Sequence, residues 1–415
     1  MRLAIAASHP VQYYAPLFRA VARRLDVTVF YAHRVTPRDQ AQAGFGVGFD
    51  WDVDLLSGYR STFLTNVARE PSLVGFGGCD TPEIGRRLAE GRFDAVLVLG
   101  WQFKSYIQAI AAAKRFGLPV LARGDSQLPT RRSAPKRAVK RVVYPPLLRL
   151  FDAALYVGER SRAYWTAYGY PSLRLFFSPH AVDAAWFAER ATDAVRAGMR
   201  ARLDIGEGDK VVLFAGKLVA FKRPLDVVMA ASLLRREGMA LSVLVAGAGP
   251  LSPAMSAAAR EQGVPLHDLG FCNQTQMPAA YAAADVLALP SDARETWGMV
   301  ANEALACGRP LALSDAVGAA PDLVGDGMAG RAFPAGDVDA LADALRGVIE
   351  RPPSPEALER KSRAYSLCAA ADGIEAAVAA VLFRRNSRRH SLSWFPSRRE
   401  REPTPAALPS RPERS

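Results

Sequence analysis

The feature that most constrains this sequence is its rhythm. Short, almost wholly apolar runs recur between stretches of helical spacing. "RLAIAAS" reads as a strand, "YYAPLFRAVARRL" as a helix and "VTVFYA" as the next strand. "FDAVLVLGW", "QAIAAAKRFG" and "PVLARGD" continue the alternation. A strand that is apolar on nearly every residue needs cover on both faces, and helical crossovers supply it. The pattern therefore dictates an α/β fold built on parallel sheets. "TPEIGRRLAEG" adds a helix expected to open with Thr81 as its N-cap and Pro82 in its first turn.

The rhythm pauses at "SPHAVDAAWFAERATDAVRAG" and restarts with "KVVLFAGKL", "RPLDVVMAASLLRREG" and "LSVLVAGAG". At 415 residues the chain exceeds one ordinary core. Two Rossmann-like domains are expected, 1–183 and 184–383, the second including closing C-terminal helices. Residues 384–415 are rich in Arg, Ser and Pro, and are expected to form a basic disordered tail. No apolar run is expected to cross a bilayer. "MRLAIAAS" reads as a buried first strand rather than a signal peptide. Cys79, Cys272, Cys307 and Cys368 form no CxxC pair, which argues against a zinc site or disulfide framework and fits a reducing cytoplasm.

In doubly wound sheets ligands collect beyond the carboxyl ends of the strands, so the loops that follow strands are the ones to inspect. In "FAGKLVAFKRP", Gly216 permits a tight turn, and Lys217 and Lys222 place two ammonium groups where a departing diphosphate would gain charge. Two solvated surface lysines are the plain alternative. "LVAGAGPL" lacks the third glycine of a dinucleotide fingerprint and reads as a turn. In "SDARETWGMVANEALACG", a strand-end loop carries Glu295 and the following helix carries Glu303. Backbone N–H groups near Gly298, Met299 and Val300 make an anion site without any side chain. Carboxylates on either side of such a site suit sugar hydroxyls flanking a phosphate: ribose, diphosphate, hexose. A simple preference for acid near a helix start is the alternative.

Taken in order, "FAGKLVAFKRP", "VAGAGPL", "LGF" and "PSDARETWGMVANEALACGRPLALSDAVGAAPDLV" resemble the retaining GT-B glycosyltransferases of family 4, a group with many bacterial polysaccharide and lipopolysaccharide enzymes. The resemblance implies a GT-B fold, two Rossmann-like domains facing across a cleft. It implies that Glu303 holds the nucleotide ribose and that Glu295 touches the donor sugar. Lys217 and Lys222 would bind the diphosphate, with the backbone of Gly298, Met299 and Val300, and Phe271 would lie near the base. Lys217 stands where the family usually has arginine, which keeps the charge and gives up the fork.

The first half carries "SHPVQYYAP" where many relatives have a glycine pair, and so resembles a subgroup with an HP-x-QY loop. His9 is thereby expected at the catalytic cleft. Gln12, Trp101, Arg123 and Asp125, all at strand ends, are expected to shape the acceptor side. No metal cluster is visible, and the lysines make a metal or other cofactor unnecessary for the leaving group.

A net charge of +12 favours an anionic partner, and the tail holds roughly half of it. "TRRSAPKRAVKRVVYPPLLRL", which contains 131–149, pairs basic residues with an oily side: Arg131, Arg132, Lys136, Arg137, Lys140, Arg141 and Arg149 against Val139, Val142 and Val143. This fits an anionic membrane surface, with the tail as a second contact through Trp394 and Phe395. No nucleic-acid fold accompanies the charge. The expected activity is transfer of a hexose from a nucleoside diphosphate sugar to a glycan or lipid-linked acceptor, in a cytoplasmic enzyme at the inner face of the plasma membrane. Two other readings stand beside it: an NAD-dependent Rossmann oxidoreductase, and a catalytically silent membrane-docking paralogue.

Overall fold

The computed structural model describes residues 1–42, 46–128 and 134–393. The apolar runs form two all-parallel sheets. The first contains β1 (Arg2–Ala7), β2 (Asp26–Tyr31), β3 (Arg60–Phe63), β4 (Ala95–Val98), β5 (Val120–Gly124), β6 (Ala153–Tyr156) and β7 (Leu175–Phe177), in the order β3-β2-β1-β4-β5-β6-β7. The second contains β8 (Lys210–Ala215), β9 (Leu241–Ala246), β10 (Leu266–Asp268), β11 (Val286–Leu289), β12 (Leu311–Ser314) and β13 (Gly330–Phe333), in the order β10-β9-β8-β11-β12-β13. Every residue of β4, β9, β11 and β12 is buried, as continuous apolar strands require.

Each sheet reverses its winding once. The chain runs outward from β1 to β3 and resumes with β4 on the other side of β1; it does the same around β8 and β11. At such a reversal two helices leave opposite faces and a crevice opens beyond the strand ends. The loops after β1, β4, β8 and β11 border these two crevices.

The helix Leu367–Ser393 departs from the sequence expectation. Ala370, Ala371, Ile374, Ala377, Val378 and Val381 join the core of the first sheet, not the second. Gly373 meets β7 so closely that a Cβ would lie 1.8 Å from the Phe177 carbonyl oxygen. The chain therefore crosses between domains twice, near 178–183 and near 365–367. The same helix continues to Ser393, past the start of the expected tail; residues 394–415, with Trp394 and Phe395, lie outside the described residues. By length and composition alone, a window within Pro355–Ser387 would also suffice to cross a bilayer. The six residues just named are the part of it that packs in the first core.

The basic segment forms the helix Ala134–Leu148. Arg131 and Arg132 lie outside the described residues. Val139, Val142, Val143 and Leu147 are exposed, Val142 to 76%. Lys140 lays its ammonium over the Tyr144 ring at 4.2 Å.

Candidate active site

A cavity of about 530 Å³ lies between the two sheets. Gln12, Tyr13 and Asp125 reach it from loops after β1 and β5, and Lys217, Lys222, Glu295 and Glu303 from beyond β8 and β11. A larger cavity of about 700 Å³ is bordered by Lys210, Asp285 and Pro310, at the amino ends of the second sheet's strands. None of the strand-end loops that carry Gln12, Asp125, Lys217, Lys222 or Glu295 borders it.

The loop after β8 turns at Gly216, whose φ is +133°. It then forms a short 3-10 turn, Ala220–Lys222. That turn aims Lys222 at Glu295, and the two side chains form an ion pair while 12% and 15% exposed. Ser291 Oγ also donates to Glu295, at 3.3 Å. Lys217 lines the same wall; burial, and then repulsion from Lys222, lowers its ammonium pKa, against the attraction of Glu295. Two cations and one carboxylate thus share a poorly hydrated corner where their fields are strong.

The helix Met299–Ala306 points its N-terminus into the cavity, and Gly298, Met299 and Val300 all line it. Gly298 adopts φ +93°, and a Cβ there would lie 2.6 Å from Leu289 Cδ2. Glycine is required on both counts. One turn on, Glu303 is only 2% exposed. Tyr281 donates to its Oε2 at 2.6 Å. Tyr13 and Gln274 hydrogen-bond it as well. Burial pushes its carboxyl up to about 7, with those three bonds opposing the rise.

Asp125 accepts a 2.6 Å hydrogen bond from Thr296 Oγ1 and lies 3.9 Å from His180 Nε2. Burial opposes its ionisation, yet the bonds from His180 and Thr296 hold its carboxyl well below the usual range. His180 rests on Trp297, ring centroids 5.5 Å apart. Trp297 in turn donates to Asn302, which donates to the His180 carbonyl at 3.2 Å. These bonds join the two domains directly at the cavity.

The structure thus gathers Lys217, Lys222, Glu295, Glu303, Gly216, Gly298, Met299, Val300, Phe271, Gln12 and Asp125 around one space. Three expectations need correction. His9 is not among the lining residues: its Nδ1 is 2.9 Å from Ser8 Oγ, and it lies toward His33 and Asp39. Burial, then repulsion from His33, lowers its pKa to about 4, so it is neutral at pH 7. Trp101 packs into the first core against Phe151 and Trp165. Arg123 is 1% exposed and donates to Ser178 Oγ and to the carbonyls of Ser178 and Pro179, so it secures the first chain crossing.

The sequence reading passed over Tyr13, Tyr281, Gln274, Thr296 and His180. His180 lies in the loop after β7, in "SPHAVD", and the strand-end rule points to it. Tyr281 gave no local signal, because it reaches Glu303 from a neighbouring helix, Met277–Ala283.

Residues 195–365 match the family model of glycosyl transferases group 1. A D-inositol 3-phosphate glycosyltransferase of Mycobacterium avium (strain 104) is 33% identical over 175 residues, 41% of this chain and 41% of that protein. A GDP-mannose-dependent alpha-(1-6)-phosphatidylinositol monomannoside mannosyltransferase of Mycolicibacterium smegmatis is 31% identical over 225 residues, 52% of this chain and 58% of that protein. The chain thus spans about half the length of the curated relatives it matches. The solved structure of Anabaena Alr3699/HepE in complex with UDP and glucose superposes with a TM-score of 0.61 at 16% identity, over 95% of this chain and 100% of that one. The two-sheet α/β architecture is that of the GT-B glycosyltransferases.

Proposed function

We propose that this chain is a retaining glycosyltransferase of family 4, in a subgroup with an HP-x-QY loop. It moves a hexose from a nucleoside diphosphate sugar to a glycan or lipid-linked acceptor in cell-surface polysaccharide synthesis. The observation that carries the reading is one cavity between the domains, of about 530 Å³, which holds two lysines, a glycine-led helix start and two carboxylates in the order a nucleotide sugar needs. The match of residues 195–365 to glycosyl transferases group 1 supports it, as does the likeness to a fold solved with UDP and glucose.

In this reading the diphosphate lies against Lys217, Lys222 and the N–H groups of Gly298 to Val300. Glu295 faces the hexose and Glu303 accepts from the ribose hydroxyls. The acceptor oxygen forms a bond to the anomeric carbon on the face from which the phosphate oxygen departs. Its proton passes to that departing oxygen, so configuration is retained and no carboxylate nucleophile is needed. Lysine charge substitutes for a metal at the leaving group, and Asp125 and Gln12 border the acceptor side. The exposed valines beside Lys140 and Arg141 bring the enzyme to the anionic inner face of the membrane.

The test is a panel of UDP-, GDP- and ADP-hexoses, scored for release of free nucleoside diphosphate, with and without a chelator. Turnover is expected with one donor, insensitive to chelation, and lost in Lys222→Ala and Glu295→Ala. Undiminished turnover in both variants would remove the assignment. Nuclear magnetic resonance of the product linkage tests retention.

A further inference from the structure

A strap from the first domain, residues 46–55, lies on the second domain at one end of the cavity. Asn273 Nδ2 donates to the Asp50 carbonyl at 2.8 Å. The Thr275 backbone N–H donates to both Asp52 carboxylate oxygens at 3.2 Å, and its hydroxyl donates to Asp52 as well. Phe49 packs on Phe271 with ring centroids 4.3 Å apart and meets Trp51 edge-on at 5.0 Å. Trp51 itself lines the cavity beside Phe271, Cys272 and Met277.

The hydrogen bonds fix where this end lies along the cavity. Gln274, between the two strap-holding residues, bonds Glu303. Glu303 is one turn inside the helix led by Gly298, and Glu295 and Lys222 lie beyond that helix start. The sequence of features is therefore aromatic wall, buried carboxylate, anion-binding helix end, lysine corner. Ala246, Ala248, Phe271 and Met277 leave the aromatic end with little to solvate a charge or a hydroxyl-rich sugar. A flat heteroaromatic ring suits it.

We infer that Trp51 is a positioning residue for the donor, giving the nucleobase an aromatic face from the first domain while Phe271 bounds it from the second. The inference rests on the nucleotide-sugar reading above. It assigns the strap of the first domain a role in donor binding.

The test is titration calorimetry of the full chain with UDP, GDP, ADP and inorganic pyrophosphate. The proteins are the wild type, Trp51→Ala, Trp51→Phe and Asp52→Ala. Trp51→Ala is expected to weaken the preferred nucleoside diphosphate about tenfold and to leave pyrophosphate affinity unchanged, because pyrophosphate has no base. Trp51→Phe should restore most of the loss, and Asp52→Ala should show part of it by releasing the strap. Equal nucleotide affinity in Trp51→Ala and wild type would overturn the inference while leaving the donor reading intact. A parallel loss of pyrophosphate binding would also overturn it, because the tryptophan would then be holding the fold. Failure of the wild type to bind any of the nucleotides would sink the donor reading, and this inference with it.

Discussion

At the residue scale, two side chains carry most of the proposed chemistry. Lys222 is held against Glu295 in a site where neither is well hydrated, so its ammonium is in position before a donor arrives. Lys222→Met is expected to slow donor turnover about a hundredfold, the loss typical of one preorganised electrostatic group. Lys222→Arg should recover part of it; both are read by the rate of nucleotide release. Glu303 carries a folded-state pKa of about 7 against an ordinary 4.5, so the native state favours its protonated form. That contribution is complete below about pH 4.5 and is lost as pH rises through 7. Relative to Glu303→Gln, the wild type should therefore lose stability between pH 5 and pH 8, by up to roughly 3 kcal/mol. Denaturant melts of both proteins across that range check the sign. The sequence disclosed both glutamates and both lysines, because each sits at a strand end or a helix start. It misplaced Arg123 and Trp101 for one physical reason: a residue at a strand's end can turn inward as easily as outward, and the partners that decide, Ser178 and Trp165, are more than fifty residues away.

At the scale of elements, the helix Met299–Ala306 depends on how it begins. Gly298→Ala brings a Cβ against Leu289 in a backbone conformation that alanine resists. A loss of about 1–3 kcal/mol is expected, together with weaker pyrophosphate binding as the helix start shifts; chemical denaturation and calorimetry read the two effects. The exposed face of the helix Ala134–Leu148 makes a separate prediction. Val142→Asp should reduce cosedimentation with phosphatidylserine-containing vesicles several-fold and leave soluble donor hydrolysis unchanged. The parallel strands were legible in the sequence because burial on both faces leaves few polar positions to confuse the pattern. Helix starts were less so. The helix expected from Thr81 begins at Ile84; among the described residues the Thr81 hydroxyl caps nothing, and the Thr81 backbone N–H donates to Gln108 Oε1.

For the whole molecule, what matters is how closely the two domains approach. Gly158 sits at that contact: a Cβ there would lie 2.4 Å from Trp297 Cζ3 and 2.8 Å from both Asp322 carboxylate oxygens. Asp322 in turn caps the first-domain helix Glu159–Ala167, accepting from the Glu159 N–H at 3.1 Å. Gly158→Leu should wedge the domains apart, raising the radius of gyration seen by small-angle scattering and lowering kcat/KM at least tenfold; an unchanged scattering profile would contradict this. The pairing of distant segments here was invisible in the sequence, as was the return of the helix Leu367–Ser393 to the first sheet, because nothing local marks which of two apolar surfaces an apolar helix will choose. That return makes the second domain a long insertion within the first. A body attached at one point can swivel; attached at two neighbouring points, joined here by the bond from Ser178 Oγ to the Ala370 carbonyl, it can only swing like a door about the line between them. Opening and shutting would then retrace a single arc, and the groups lining the cavity would meet in the same alignment each time.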